Sequence, residues 1–121
     1  EHDLRNAASM LSDEDTAYVI SVSQYEHPIQ RAFSLTSSSV ITGFNSSMQH
    51  ARTQDQEPYF HDAGQFYFGR RQAWLERCPI FSDSTRAVIL PRSRAIDIDS
   101  MDDWTVAEAI YDNKLRASVK D

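Results

Sequence analysis

The run AYVISVS, residues 17–23, is apolar and rich in β-branched side chains, and it reads as a buried strand. A buried strand needs partners on both sides and cover on its faces, so the rest of the chain has to supply them. Residues 3–11 place Leu4, Ala7, Ala8 and Leu11 on one helical stripe, and the turn-forming residues SDEDT then interrupt it. RAFSLTSSSVITGF (31–44) reads as two short strands about a serine-rich turn, a hairpin. AGQFYFG (63–69) reads as a strand, RRQAWLER (70–77) as a short helix, RAVILP (86–91) as a strand and SRAIDID (93–99) as an extended segment. The clearest helix is MDDWTVAEAIYDNKLRASV (101–119), where Trp104, Ala107, Tyr111 and Leu115 fall on one face. Ser100 is positioned to cap it, with Asp103 three residues on as the capping-box partner. The order α-β-(ββ)-β-α-β-α implies an α/β layer with a hairpin excursion.

A chain of 121 residues fits one domain and buries roughly 65% of its unfolded surface. With 40% hydrophobic and 25% charged residues, the composition is that of a globular protein. The net charge of −6 argues against a broad nucleic-acid face. No apolar run approaches the ~18 residues of a membrane span, and no signal peptide is visible. Cys78 is the only cysteine, which excludes an internal disulfide and suits a reducing, cytoplasmic setting. Residues 45–62 are polar and lack periodicity, and a loop of such length invites a functional role.

Residues 95–104, AIDIDSMDDW, concentrate four aspartates. On an extended segment Asp97 and Asp99 share a side, and two such carboxylates suit Mg²⁺, which takes one or two carboxylates together with water and substrate phosphates. A solvated strand end explains a D-x-D equally well. Asp102 and Asp103 lie in a first helical turn, where the helix dipole favours negative charge without a metal. His2, His27, His50 and His61 show no H-x-x-x-H spacing, and no G-x-S-x-G elbow is present. Arg52, Arg70, Arg71, Arg92 and Arg94 could grip carboxylates or phosphates, or could simply solubilise the surface. Tyr59, Phe60, Phe66, Tyr67 and Phe68 could line a sugar pocket or belong to the core.

Taken together, RTQDQEPYFHDAGQFYFG (52–69), CPIFS (78–82) and PRSRAIDIDSMDDWTVAEAIY (91–111) resemble the C-terminal half of the acylneuraminate cytidylyltransferases, the CMP-sialic acid synthetases. HDAGQFYFG is most similar to the branch that activates pseudaminic acid. The resemblance implies a partial Rossmann-like nucleotidyltransferase sheet and the transfer of CMP from CTP to a nine-carbon α-keto acid sugar, with loss of pyrophosphate. It implies Asp97 and Asp99 as catalytic ligands of Mg²⁺. It places Arg52 at the sugar carboxylate and Tyr67 facing the sugar, and it puts Ile80 and Phe81 where relatives carry two phenylalanines. Ile80 departs from that pattern. Ala63-Gly64 stands where sialic acid enzymes read asparagine-glycine, which favours a different sugar. The hairpin, residues 31–50, would reach a partner subunit in a homodimer.

The family's basic, glycine- and serine-containing CTP loop has no counterpart in these residues, so the chain is expected to supply the sugar and metal half and to be inactive alone. The rival readings are an enzyme for sialic or legionaminic acid, and a non-catalytic interaction domain that binds a partner through its hairpin and exposed apolar patches.

Overall fold

The computed structural model describes residues 1–43 and 57–118. Contacts divide the chain into two units, Glu1–Ser23 with Asp62–Asp121, and Gln24–His61.

The larger unit is built on a three-stranded sheet. β1 (Tyr18–Gln24) is its centre, with β4 (Phe60–Gly69) on one side and β5 (Thr85–Ile89) on the other. β1 and β5 are parallel, from Tyr18 opposite Thr85 to Val22 opposite Ile89. Along β4 the contacts run the other way: Arg70 N–H meets Ala17 O, and the amides of Gln65 and Phe66 meet Ser21. The mixed α/β layer expected from the sequence is therefore present.

Every β1 residue from Tyr18 to Ser23 is buried, as a strand covered on both faces requires. On one face, Ala7 of α1 (His2–Met10) closes a core with Val19, Ala63, Val88 and Leu90, flanked by Met10, Leu11, Phe66 and Phe68. Tyr18, one residue from Val19, projects to the opposite face. There its ring meets Trp74 of α2 (Arg71–Leu75) edge to face at 4.9 Å, and its hydroxyl is directed at the carbonyls of Ala73 (2.9 Å) and Cys78 (3.0 Å). Burial raises the Tyr18 pKa, with the neighbouring Cys78 thiol adding to the effect, so the phenol stays a donor. Gly69 permits this packing, because a Cβ there would lie 2.6 Å from the Tyr18 ring and collide with the Trp74 indole.

Arg70 closes the amino end of the sheet. Its guanidinium donates to the carbonyls of Leu11 (2.6 Å), Asp13 (2.8 Å) and Thr16 (2.8 Å), satisfying groups left over where α1 ends. It is a structural cation rather than a substrate clamp. Arg70→Lys keeps the charge and loses the fork. We expect it to cost about 1 kcal/mol, read as a lower urea midpoint at unchanged m-value.

In the smaller unit, β2 (Phe33–Leu35) and β3 (Ile41–Gly43) form the expected antiparallel hairpin. Its turn is held by Ser39 N–H to Thr36 O and Val40 N–H to Thr36 Oγ1, with Ser39 in the left-handed region at φ 62°. Both strands are exposed, including Phe33, Leu35 and Ile41.

Candidate active site

Beyond β5 the chain does not continue as a strand. Leu90 N–H still bonds Val22 O, but Pro91 has no amide hydrogen to extend the ladder, and Arg92–Arg94 coil into a 3-10 turn. This differs from the extended segment read over residues 93–99, so strand periodicity no longer argues that Asp97 and Asp99 share a side. The turn is tied down by an ion pair of Arg94 with Asp3 at 2.5 Å and by Lys114 Nζ on Ser93 O at 2.9 Å. The Arg94 guanidinium lowers the Asp3 pKa. Asp97 then enters a groove of about 640 Å³ that it lines with Arg92, Ala95, Ile96, Val106 and Ile110.

The four aspartates separate by role. Asp103 Oδ2 accepts the Ser100 hydroxyl at 2.6 Å and the Ser100 amide at 2.9 Å, while Asp103 N–H returns a bond to Ser100 Oγ at 3.2 Å. This reciprocal pair is the capping box anticipated from SMDD, and it starts α3 (Met101–Ser118). The Ser100 hydroxyl, and then the Ser100 and Asp99 amides, lower the Asp103 pKa against the opposing effect of burial. A depressed folded pKa means that the cap is intact at neutral pH and is lost only as pH falls below the 3.8 usual for aspartate. Ser100→Ala should raise the Asp103 pKa towards 3.8 in an NMR titration and cost about 1 kcal/mol. An unshifted titration would remove the capping account.

Asp97 and Asp99 are exposed, and among the described residues neither carboxylate has a side-chain partner. Asp97 lines the groove and Asp99 does not; exposed carboxylates of this kind have the donor chemistry of Mg²⁺, which completes its shell with water and substrate oxygens. The described residues contain no cluster of three or more potential ligands.

The sugar-side residues are more dispersed. Arg52 lies outside the described residues, as does the end of the 31–50 hairpin region. Ile80 is half-buried, and its carbonyl accepts the Thr85 hydroxyl; Phe81 is 72% exposed. Phe81 precedes β5 and Asp97 follows it, so they lead from opposite ends of one strand. Tyr67, Ile80 and Phe81 do not line the Asp97 groove. On β4 the structure reveals a feature that strand propensity missed. Gly64 sits at φ 63°, its amide bonded to Asp62 Oδ1 at 2.8 Å, and the Tyr67 hydroxyl donates to Asp62 Oδ2. The buried Ser21 hydroxyl accepts the Gln65 and Phe66 amides, each at 3.1 Å, just after this kink.

No protein-family profile matches the chain. Individual relatives do. The pseudaminic acid cytidylyltransferase of Campylobacter jejuni subsp. jejuni serotype O:23/36 (strain 81-176) is 35% identical over 108 residues, which is 89% of this chain and 47% of that protein. The chain is similar to pseudaminic acid cytidylyltransferases. A second Campylobacter jejuni cytidylyltransferase of that name, from serotype O:2, is 34% identical over the same share of each chain. A Helicobacter pylori protein is 34% identical over 90% of this chain and 21% of its own length. It is named both as a pseudaminic acid cytidylyltransferase and as a UDP-2,4-diacetamido-2,4,6-trideoxy-beta-L-altropyranose hydrolase. The resemblance read from HDAGQFYFG and IDID thus extends over most of the chain. The chain spans about half the length of the two Campylobacter cytidylyltransferases. Among the described residues, no helix is long and apolar enough to cross a membrane.

Proposed function

We propose that the chain is the C-terminal half of a pseudaminic acid cytidylyltransferase of the acylneuraminate cytidylyltransferase family. Identity of about 35% to proteins of that name over 89% of the chain is the observation that carries this reading. The intact protein transfers CMP from CTP to the sugar. The anomeric hydroxyl attacks the α-phosphorus, a new O–P bond forms, the hydroxyl proton is lost, and the bond to pyrophosphate breaks. Such a reaction depends on positioning and on neutralising phosphate charge. Asp97 and Asp99 would hold the Mg²⁺, which when bound would offset that charge. Arg52 meets the sugar carboxylate, Tyr67 and Phe81 face the sugar, and Ile80 makes a smaller contact where relatives place phenylalanine. A diacetamido sugar in the Helicobacter protein's second name supports an acylamino sugar as substrate. The sheet is the Rossmann-like part of the nucleotidyltransferase layer.

The exposed Phe33, Leu35, Val40 and Ile41 on and beside the hairpin strands support a homodimer through that element. They also favour the second reading, a non-catalytic interaction domain. Pyrophosphate release by the intact protein separates the two, with CTP, Mg²⁺ and either pseudaminic or sialic acid. We expect release with pseudaminic acid and little with sialic acid. Release with sialic acid alone would reassign the sugar, and no release from a folded protein would leave the interaction domain.

A further inference from the structure

Tyr67 carries one hydroxyl hydrogen, and the fold commits it. The phenol donates to Asp62 Oδ2, while Asp62 Oδ1 accepts the amide of Gly64, the residue whose positive φ bends β4. One carboxylate oxygen thus shapes the strand and the other orients the phenol. Tyr67 remains 38% exposed, so the side chain is open to a ligand that approaches its phenol oxygen. With its hydrogen already given to Asp62, that oxygen offers only lone pairs.

We propose that Asp62 is a positioning residue that fixes the polarity of Tyr67, so that Tyr67 accepts a hydrogen bond from a donor on the sugar. This rests on the cytidylyltransferase reading and deepens it by naming the chemistry that Tyr67 recognises. The donor is an N–H of an acylamino group or a hydroxyl. A sugar presenting a bare acceptor at that point would face lone pair against lone pair.

Asp62→Asn tests this at nearly constant side-chain size. An asparagine keeps its carbonyl oxygen on the Gly64 amide, because reversing it would leave two donors facing each other. Its NH₂ then points at Tyr67 and donates to the phenol oxygen, so the phenol hydrogen turns outward. The Gly64 and Tyr67 contacts are retained, and the polarity between Asn and phenol is inverted. In the intact protein we expect Asp62→Asn to raise the KM for pseudaminic acid roughly 5- to 10-fold, the size of one mispaired hydrogen bond. The KM for CTP and the melting temperature should stay near wild type. Tyr67→Phe should raise the sugar KM similarly, and the double variant should be no worse than about 2-fold beyond either single one, since both remove the same bond. A sugar analogue with acetamido nitrogen replaced by ester oxygen distinguishes the sources. If the Asp62→Asn effect disappears with the analogue, the donor is the amide; if it persists, the donor is a hydroxyl.

A wild-type sugar KM in Asp62→Asn would overturn the proposal. So would additive effects in the double variant, or a joint rise of both KM values with earlier melting, which marks a merely structural role. Wild-type protein inactive with every sugar removes the cytidylyltransferase reading itself, and this inference with it.

Discussion

Replacing Asp97 and Asp99 together by alanine should lower kcat for pyrophosphate release by about 100-fold or more and leave the fold in place. The magnitude follows from what the pair is asked to do. Removing one preorganised stabiliser of developing charge costs ~10²–10³ in rate, and a metal that neutralises transferring phosphate acts in the same way. Retention of the fold follows from where the pair sits. Both side chains are exposed, and the capping of α3 uses the Asp99 amide and the Asp103 carboxylate rather than the side chains replaced. Exposed positions away from caps and core contribute little to stability. The comparison with Asp103→Ala is informative, because that variant should disturb the start of α3. Loss of activity in the double variant with an unchanged unfolding midpoint supports the metal role. Equal activity would return IDID to a solvated turn.

The second large effect is expected at Ser21. Its side chain has no solvent exposure, and its hydroxyl serves the amides of Gln65 and Phe66 while approaching Phe66 O at 3.3 Å. Ser21→Ala removes the side-chain acceptor of two amide donors of β4. Orphaned buried donors cost ~1–3 kcal/mol, so about 2 kcal/mol is expected, or a Tm lower by roughly 10 °C. The damage should reach function, since the same kink carries Tyr67. We expect the sugar KM to rise and the CTP KM to hold. A variant as stable as wild type would mean that β4 closes the ladder without Ser21.

Much of this architecture is visible in the residues themselves. AYVISVS announces a buried strand because its apolar run has no solvated face to mark. The hairpin shows in two short β-branched runs about serines, and α3 in its period and its SMDD start. What escapes is held by contacts distant in sequence. Arg70 binds carbonyls 54–59 residues away, and Ser21 serves amides 44 and 45 residues away. Neither leaves a periodic trace. The turn at Arg92–Arg94 was read as extended because SRAIDID alternates like a strand, whereas Pro91 has already ended the ladder. Asp62 drew no reading from the sequence, although D-A-G is an Asx-type turn signal once Gly64 is known to adopt positive φ. Trp104 and Tyr111 share a helical face as expected, yet that face is exposed, at 49% and 64%.

The central claim is that the intact protein joins CMP to pseudaminic acid. The most direct measurement is product identification by mass spectrometry and phosphorus NMR after incubation with CTP, Mg²⁺ and pseudaminic acid. The account predicts CMP-pseudaminic acid and pyrophosphate in equal amounts, both formed about 100-fold more slowly, or slower still, with Asp97→Ala/Asp99→Ala. Unchanged CTP and sugar after incubation with folded wild-type protein would contradict it.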